Sequence, residues 1–308
     1  MTIVEMITAE LDARVERVQA GVMPIVVATD GSEASVPALI AARLICEKTG
    51  APVHVVSIND QPHLPASAPD GILLSPDFAS VRKQAQLEVI GNLKAQFDPA
   101  GLWTTEVRTG HAAPLIADVA RDRKAALIIV GASRHGLLGR LLGFETAMKI
   151  AKCSDTPLLI ASSSISSAPK RAVIAINIDP NGMQCISRAL MAVGRPRSIT
   201  CVHVQPRSEF ADVGWAEFDG EYDFAVNERF GCLAADLGRT GPPPELVVLH
   251  GYAVDEVVGF AEETNADLLV VGIRLRQGRS AAIGGKIARG VLRQSSRSVL
   301  IVPGFMAE

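Results

Sequence analysis

The sequence contains one long internal repeat. The stretch VRTGHAAPLIADVARDRKAALIIVG, which ends at Gly131, recurs as VLHGYAVDEVVGFAEETNADLLVVG, which ends at Gly272. Gly110 and Gly251 are 141 positions apart, and so are Gly131 and Gly272. A repeat of this length is a duplicated domain, because solenoid repeats are only about 20–50 residues long. Each half of this 308-residue chain must therefore bury a hydrophobic core of its own.

Short apolar runs alternate with amphipathic stretches in both halves. The first half contains PIVVAT, VHVVSI, ALIIV and PLLIAS, and the second contains AVIAIN, SITCVHV, ELVVLH, ADLLVVG and SVLIVP. Continuous apolar strands that alternate with helices are typical of parallel βαβ units, whose sheet is covered on both faces. The sequence therefore predicts an α/β fold made of two tandem, doubly wound, five-stranded parallel-sheet domains.

Polar and unpatterned segments indicate the domain limits. We predict a first domain at residues 23–163, a linker at residues 164–170 within the small, polar stretch SSSISSAPK, and a second domain at residues 171–308. Residues 1–22 have no counterpart in the second half. A helical extension is predicted there, because apolar side chains recur at helical spacing at Ile3, Ile7, Leu11, Val15 and Val18. Such a helix would pack as a strap on the first domain or bind a partner.

Charge and cysteine content exclude several classes of protein. The 30 Lys and Arg residues against 33 Asp and Glu give a net charge of −3, which does not favour nucleic acid or anionic membranes. The five cysteines are scattered and form no CxxC pair, which argues against a disulfide framework or a structural zinc site. No apolar run reaches the roughly 18 residues that a membrane span needs. We expect a soluble cytoplasmic protein with neither nucleic acid nor membrane as partner.

Candidate ligand-binding residues follow the predicted strands. In open parallel sheets, ligands bind beyond the carboxyl ends of the strands, where the strand order reverses. Asp30 comes directly after the first strand, and Gly131 ends the run LIIVG. A carboxylate can accept a hydrogen bond from an amine or hydroxyl, and glycine lets backbone N–H groups approach a phosphate. The alternative for Asp30 is that it caps the helix that follows.

The stretches VVATDGSEAS, LIIVGASRHG and TPLLIAS resemble the universal stress protein family, and the match recurs in the second half. The chain therefore resembles the tandem form of that family. The resemblance implies an adenine nucleotide alpha-hydrolase-like fold. In the ATP-binding branch, it also implies an Asp that meets the adenine and a loop of pattern G-x2-G-x9-G-[S/T] around the phosphates. ATP or another adenine nucleotide, accompanied by Mg²⁺, would be the ligand of such a site.

The resemblance also has implications for assembly. Universal stress proteins dimerise through their last strand, so the two halves are expected to form an internal pseudo-dimer about a pseudo-two-fold axis. A further homodimer remains open.

Only part of the phosphate-loop pattern is present in the first half. Asp30 matches the adenine-side carboxylate and Gly131 matches the first glycine. The positions of the second glycine, the third glycine and the hydroxyl are occupied by Arg134, Phe144 and Glu145. A glutamate beside a phosphate is repulsive.

The second half departs from the pattern differently. Gly272 and Gly285 match the first and third glycines, whereas Leu275 and Lys286 replace the second glycine and the hydroxyl. Asn177 stands where the first half has Asp30. The surrounding basic residues could hold an anion or could form an exposed, solvated loop.

Two functions from different classes fit this pattern. We expect a stress-linked regulatory or binding protein that binds an adenine nucleotide in one half, through residues among Asp30, Gly131, Gly272 and Gly285. The alternative is an interaction protein whose incomplete loops bind no nucleotide. We do not expect a dedicated enzyme, because no general base or pair of metal-binding carboxylates is evident in the loops, and any ATP hydrolysis would be slow.

Overall fold

The computed structural model describes residues 22–59, 76–98, 101–132, 144–176, 183–205, 216–239, 241–275 and 285–305. The helical extension predicted for residues 1–22 lies outside this part of the chain, apart from residue 22. The chain divides into two compact units, Met1–Ser166 and Ser167–Glu308.

The first unit is a doubly wound α/β domain. Its elements are β1 (Ile25–Thr29), a 3-10 turn (Glu33–Ser35), α1 (Val36–Thr49), β2 (Val53–Asn59), α2 (Pro76–Phe97), β3 (Thr104–Thr109), α3 (Ala112–Asp122), β4 (Leu127–Gly131), α4 (Phe144–Cys153) and β5 (Leu158–Ala161). The strands are ordered β3-β2-β1-β4-β5, and each neighbouring pair is parallel. The strand order reverses between β1 and β4, which places the candidate crevice at their carboxyl ends.

The second unit repeats this topology. Its elements are β6 (Arg171–Ala175), α5 (Met183–Ala192), β7 (Ser198–Gln205), α6 (Ala216–Gly238), β8 (Glu245–His250), α7 (Ala253–Glu263), β9 (Leu268–Leu275), α8 (Lys286–Gln294) and β10 (Ser298–Phe305). The order is β8-β7-β6-β9-β10, again with parallel neighbours. The prediction of two tandem five-stranded parallel-sheet domains is confirmed.

The central strands of each sheet are buried because helices cover both faces. Every residue of β1, β2, β4 and β5 is buried, and most of these residues are apolar. The outer strand β3 is exposed at both ends and only half-buried between them. Charged side chains can therefore lie on β3 but not on the strands at the centre of the sheet.

One carboxylate secures the beginning of β6. Oδ2 of Asp267 accepts hydrogen bonds from the backbone N–H groups of Lys170 and Arg171, at 3.0 and 2.9 Å. The backbone N–H of Asp267 donates to the carbonyl of Arg171 at 2.9 Å. In the first unit, Ala126 makes the corresponding backbone bond to Pro24 without a carboxylate. The side chain of Asp267 thus adds an attachment that the first unit lacks.

Replacement of this carboxylate should have a modest effect. We expect Asp267→Ala to lower the free energy of unfolding by about 1 kcal/mol, because water can reach the two N–H groups once the carboxylate is gone. Urea denaturation followed by circular dichroism measures the change. Asp255→Ala, which removes an exposed carboxylate from α7, is the control and should stay within about 0.5 kcal/mol of the parent. Equal losses in the two variants would contradict the attachment.

Candidate functional site

Asp30 organises the turn that follows β1. Its Oδ1 accepts hydrogen bonds from the backbone N–H of Ser32 at 3.0 Å and from the Ser32 hydroxyl at 2.6 Å. Neither the 3-10 turn nor α1 has a side-chain cap, so the alternative in which Asp30 caps a helix is wrong. In the described part of the chain, Oδ2 of Asp30 has no hydrogen-bond donor.

Two buried hydroxyls hold the same turn. The Ser35 hydroxyl donates to the carbonyl of Ser32 at 2.7 Å, and Ser35 Oγ lies 2.6 Å from Thr29 Oγ1. Since the Ser35 proton is used in the first bond, Thr29 donates in the second. Thr29 Oγ1 also accepts from the N–H of Gly31 at 3.0 Å. The turn carrying Asp30 is thus held in one conformation before any ligand arrives.

Gly131 is buried at the end of β4, beside this turn. The strands β1 and β4 are in register at Val27 and Ile129, so Asp30 and Gly131 come to the same edge of the sheet. A Cβ atom on Gly131 would lie 2.2 Å from the carbonyl oxygen of Ala34 and 3.1 Å from the Cα of Ser35. The 3-10 turn packs directly on this glycine. Its lack of a side chain is therefore explained by packing, without a phosphate.

Gly272 occupies the matching position in the second unit, but its surroundings differ. It is exposed, whereas Gly131 is buried. The nearest described atom to a Cβ built on Gly272 is the carbonyl oxygen of Val302 at 3.9 Å, an ordinary contact. The neighbouring residue Val271 pairs with Ala175 of β6. Gly272 thus lies within β9, just past the carboxyl end of β6, and it is exposed.

Gly285 is the N-cap residue, directly before α8, and this helix packs against β9. Its φ of 116° lies in the left-handed region that favours glycine, and its carbonyl accepts from the N–H of Arg289 at 2.8 Å. The next residue, Lys286, is exposed, and the first turn of α8 has no acidic residue. The matching helix α4 carries Glu145 in its first turn. The two helices therefore present opposite charges at corresponding ends.

Buried polar residues on the two sheets also differ, and they were not predicted from the sequence. In the first unit, Ser57 pairs with Thr29 across the strands and accepts a hydrogen bond from the side-chain amide of Gln86. The position that corresponds to Ser57 in the second unit is His203, which is buried with Nδ1 at 3.3 Å from the carbonyl oxygen of Ile176. The sequence signal that could have identified them is a polar residue inside an otherwise apolar strand run.

Much of each candidate loop lies outside the described residues. Residues 133–143 include Arg134, residues 177–182 include Asn177, and residues 276–284 precede Gly285. The structure therefore places Asp30 with Gly131 at one edge, and places Gly272 and Gly285 on neighbouring elements of the other unit.

A model of the universal stress protein family matches residues 21–162 and, a second time, residues 169–303. Together these matches cover most of the chain. The chain belongs to the universal stress protein family. Its two copies of the family domain make it a tandem universal stress protein, as the sequence predicted.

Solved structures share the whole two-unit fold. A universal stress protein from Archaeoglobus fulgidus DSM 4304 has a TM-score of 0.66 at 18% identity, covering 91% of this chain and 98% of that one. A putative universal stress protein from Pseudomonas aeruginosa UCBPP-PA14 has a TM-score of 0.61 at 16% identity, covering 92% and 94%. At these identities the likeness concerns the fold. A search of curated proteins found no match to the chain.

The described residues contain neither a cluster of metal ligands nor a membrane-spanning helix. Among the described residues, no three His, Cys, Asp or Glu side chains lie together as metal ligands would. None of the described helices combines the length and apolarity needed to cross a bilayer. The Mg²⁺ predicted with a nucleotide, the cytoplasmic location and a homodimer all stay predictions.

Proposed function

We propose that this universal stress protein is a regulatory binding protein for an adenine nucleotide, and that its second unit supplies the phosphate contacts. The observation that carries the proposal is the exposed Gly272 at the crevice edge, on a strand that packs against the helix that begins at Lys286, directly after Gly285. In the first unit, the matching glycine is buried beneath the 3-10 turn. Among the described residues, no backbone covers Gly272 as the 3-10 turn covers Gly131.

Electrostatics favour the same unit. The free N–H groups at the start of a helix attract anions, and a cation beside them strengthens this attraction. Lys286 stands at the start of α8, whereas Glu145 stands at the start of α4. A phosphate is therefore stabilised at α8 and repelled at α4. Mg²⁺ would enter with the phosphates, whose oxygens are the ligands it prefers.

The first unit has, in its own crevice, a carboxylate that could contact the base or ribose of a separately bound nucleotide. Oδ2 of Asp30 can accept a hydrogen bond from an adenine amine or a ribose hydroxyl, as the sequence predicted for this carboxylate. Its turn is already held by Thr29 and Ser35. We propose that this unit contributes weaker binding, in which the number of phosphates matters little.

Isothermal titration with adenosine, AMP, ADP and ATP, with and without Mg²⁺, tests the proposal. Affinity should rise with the number of phosphates, and Lys286→Glu should weaken ATP binding by about tenfold, equivalent to about 1.4 kcal/mol. Lys149→Glu reverses the charge of an exposed lysine on α4 and is the matched control, which should bind like the parent. The absence of heat with every ligand would refute the proposal.

The second candidate is an interaction protein that binds no nucleotide. It is favoured by the fact that packing alone accounts for Gly131. Under that alternative, thermal unfolding would be unchanged by all four ligands, and partners would be lost when residues 1–21 are deleted. In either case we propose that the protein is no dedicated enzyme, so phosphate release from ATP should not differ between the parent and Lys286→Glu.

A further inference from the structure

A buried histidine lies at the outer edge of the first sheet. The side chain of His54 on β2 is only 2% exposed. Its Nδ1 is 2.8 Å from the Thr104 hydroxyl on β3, which is a hydrogen-bond distance. Its Nε2 is 3.5 Å from Oε2 of Glu106, also on β3, and has no closer partner among the described residues. The imidazole therefore faces a carboxylate without a full hydrogen bond to it.

Glu106 is also held by two arginines. Arg108 Nε lies 2.9 Å from Oε1, and Arg123 Nη2 lies 3.3 Å from Oε2. Arg123 follows α3 directly, and Arg108 reaches Asp122, the last residue of that helix, at 3.8 Å. We name His54, Glu106, Arg108 and Arg123 the edge cluster. These four side chains connect β2, the outer strand β3 and the end of α3.

The second unit has no counterpart of the edge cluster. Ile25 pairs with Val53 and Leu127, and Ala172 pairs with Ile199 and Leu268, so the two sets of strands correspond position by position. The residue after Ile199 is Thr200, which therefore corresponds to His54. The registers of β3 and β8 and the ends of α3 and α7 give the remaining equivalents. In order, the four counterparts are the uncharged residues Thr200, Val247, Leu249 and Thr264.

The groups that face His54 have opposing effects on the pKa of its imidazole. Val26, its neighbour on β1, is apolar, Glu106 and Arg108 face it from β3, and Arg123 with Asp122 approaches from the end of α3. Burial lowers the pKa of the His54 imidazole and the charge of Arg123 lowers it further, while Glu106 partly offsets both. Burial of Glu106 would raise its carboxyl pKa, but His54 and the two arginines outweigh burial and hold the pKa below its usual value.

The direction of these pKa shifts defines the pH range in which each group affects the stability of the fold. Because His54 takes up a proton less readily in the folded chain, folding loses stability as the pH falls below 6.5, the usual pKa of histidine. The Glu106 carboxylate keeps its charge to a lower pH, below its ordinary 4.5, and its contribution is lost only there. Mild acid therefore acts on the histidine first, at a site where two arginines already concentrate positive charge.

We propose that the edge cluster makes the first unit acid-sensitive. At neutral pH it holds β3 and the end of α3 against β2, and in mild acid this edge loosens while the corresponding edge of the second unit does not. The device is independent of nucleotide binding, because the cluster involves neither Asp30 nor the glycines of the crevice. The four corresponding positions of the second unit hold uncharged residues, so this cluster belongs to the first unit alone.

Hydrogen exchange of the full chain, measured by mass spectrometry between about pH 7.5 and pH 5 and corrected for intrinsic exchange, tests the proposal. Protection of β2, β3 and the end of α3 should fall by about tenfold for each unit by which the pKa of His54 lies below 6.5. Protection of β7, β8 and the end of α7 should change much less. His54→Thr, which installs the residue of the second unit, should remove the difference. Equal pH dependence in the two units, or an unchanged dependence in His54→Thr, would overturn the proposal.

A second measurement does not depend on how the variants fold. Nuclear magnetic resonance of ¹⁵N-labelled histidine should give an imidazole signal that titrates below 6.5 and is absent from His54→Gln. Glu106→Gln should lower the pKa of that imidazole further, because the carboxylate that favours the charged form has been removed. A His54 imidazole that titrates at or above 6.5 would exclude an acid-sensitive edge.

Discussion

Gly131→Ala is expected to lower the free energy of unfolding of the first unit by about 3 kcal/mol. The added Cβ would clash with the carbonyl oxygen of Ala34, and no change of rotamer can relieve this, because the backbone fixes the positions of both atoms. The 3-10 turn would have to move off β4, which also disturbs the hydrogen bonds of Thr29 and Ser35. Urea denaturation followed by fluorescence of the buried Trp103, in a Trp215→Phe background, reports on this unit.

Gly272→Ala is the matched control for this prediction. The residue is exposed and its new Cβ would make only an ordinary contact with Val302, so we expect a change below about 1 kcal/mol. The larger alternative Gly272→Val should instead weaken ATP binding, if the second crevice is the phosphate site. Similar losses of stability for the two alanine variants would show that the contrast between the two crevices is wrong.

Asp98→Ala is expected to lower the free energy of unfolding by about 2 kcal/mol. Asp98 is 5% exposed, and its Oδ2 accepts a hydrogen bond from the backbone N–H of Trp103 at 2.6 Å. Removal of the carboxylate leaves that buried N–H without its acceptor, and the cost of an unpaired buried donor exceeds that of a lost surface bond. The tryptophan itself is 6% exposed, so its fluorescence follows the same region of the first unit.

Asp98→Asn separates the hydrogen bond from the charge. The amide oxygen can still accept from Trp103, so the loss should be smaller than for Asp98→Ala. The variant does lose the charge that strengthens this bond and pairs with Lys94 Nζ at 3.8 Å, so some loss should remain. If both variants unfold at the same urea concentration as the parent, the carboxylate does not secure the segment that leads into β3.

The fold could be predicted from the sequence because it depends on local patterns. Runs such as IVVAT and LLIA are too short and too apolar for surface helices, and they alternate with amphipathic stretches of helical length. Because the pattern recurs 141 residues later, the same fold could be predicted for the second half. Asp30 was also predictable as a residue of the crevice edge, because any residue that directly follows a central parallel strand must lie there.

The roles of individual residues were harder to predict. The sequence offered a helix cap as one alternative for Asp30, and the structure shows instead that its carboxylate holds Ser32 in the preceding turn. Sequence alone does not distinguish these two arrangements, because the same residue types favour both. The decision depends on where the backbone goes after the turn, and the buried hydroxyls of Thr29 and Ser35 set that path.

By itself, the sequence determined that this chain contains two α/β domains of the universal stress protein family, and which residues end their strands. Only the tertiary structure decided that Gly131 is covered by a turn while Gly272 is open, although the two glycines are identical in the repeat. It also brought His54, Glu106 and Arg123 together from distant positions. The physical reason is that periodicity records which side of an element is buried, whereas contacts across strands and helices depend on register and packing.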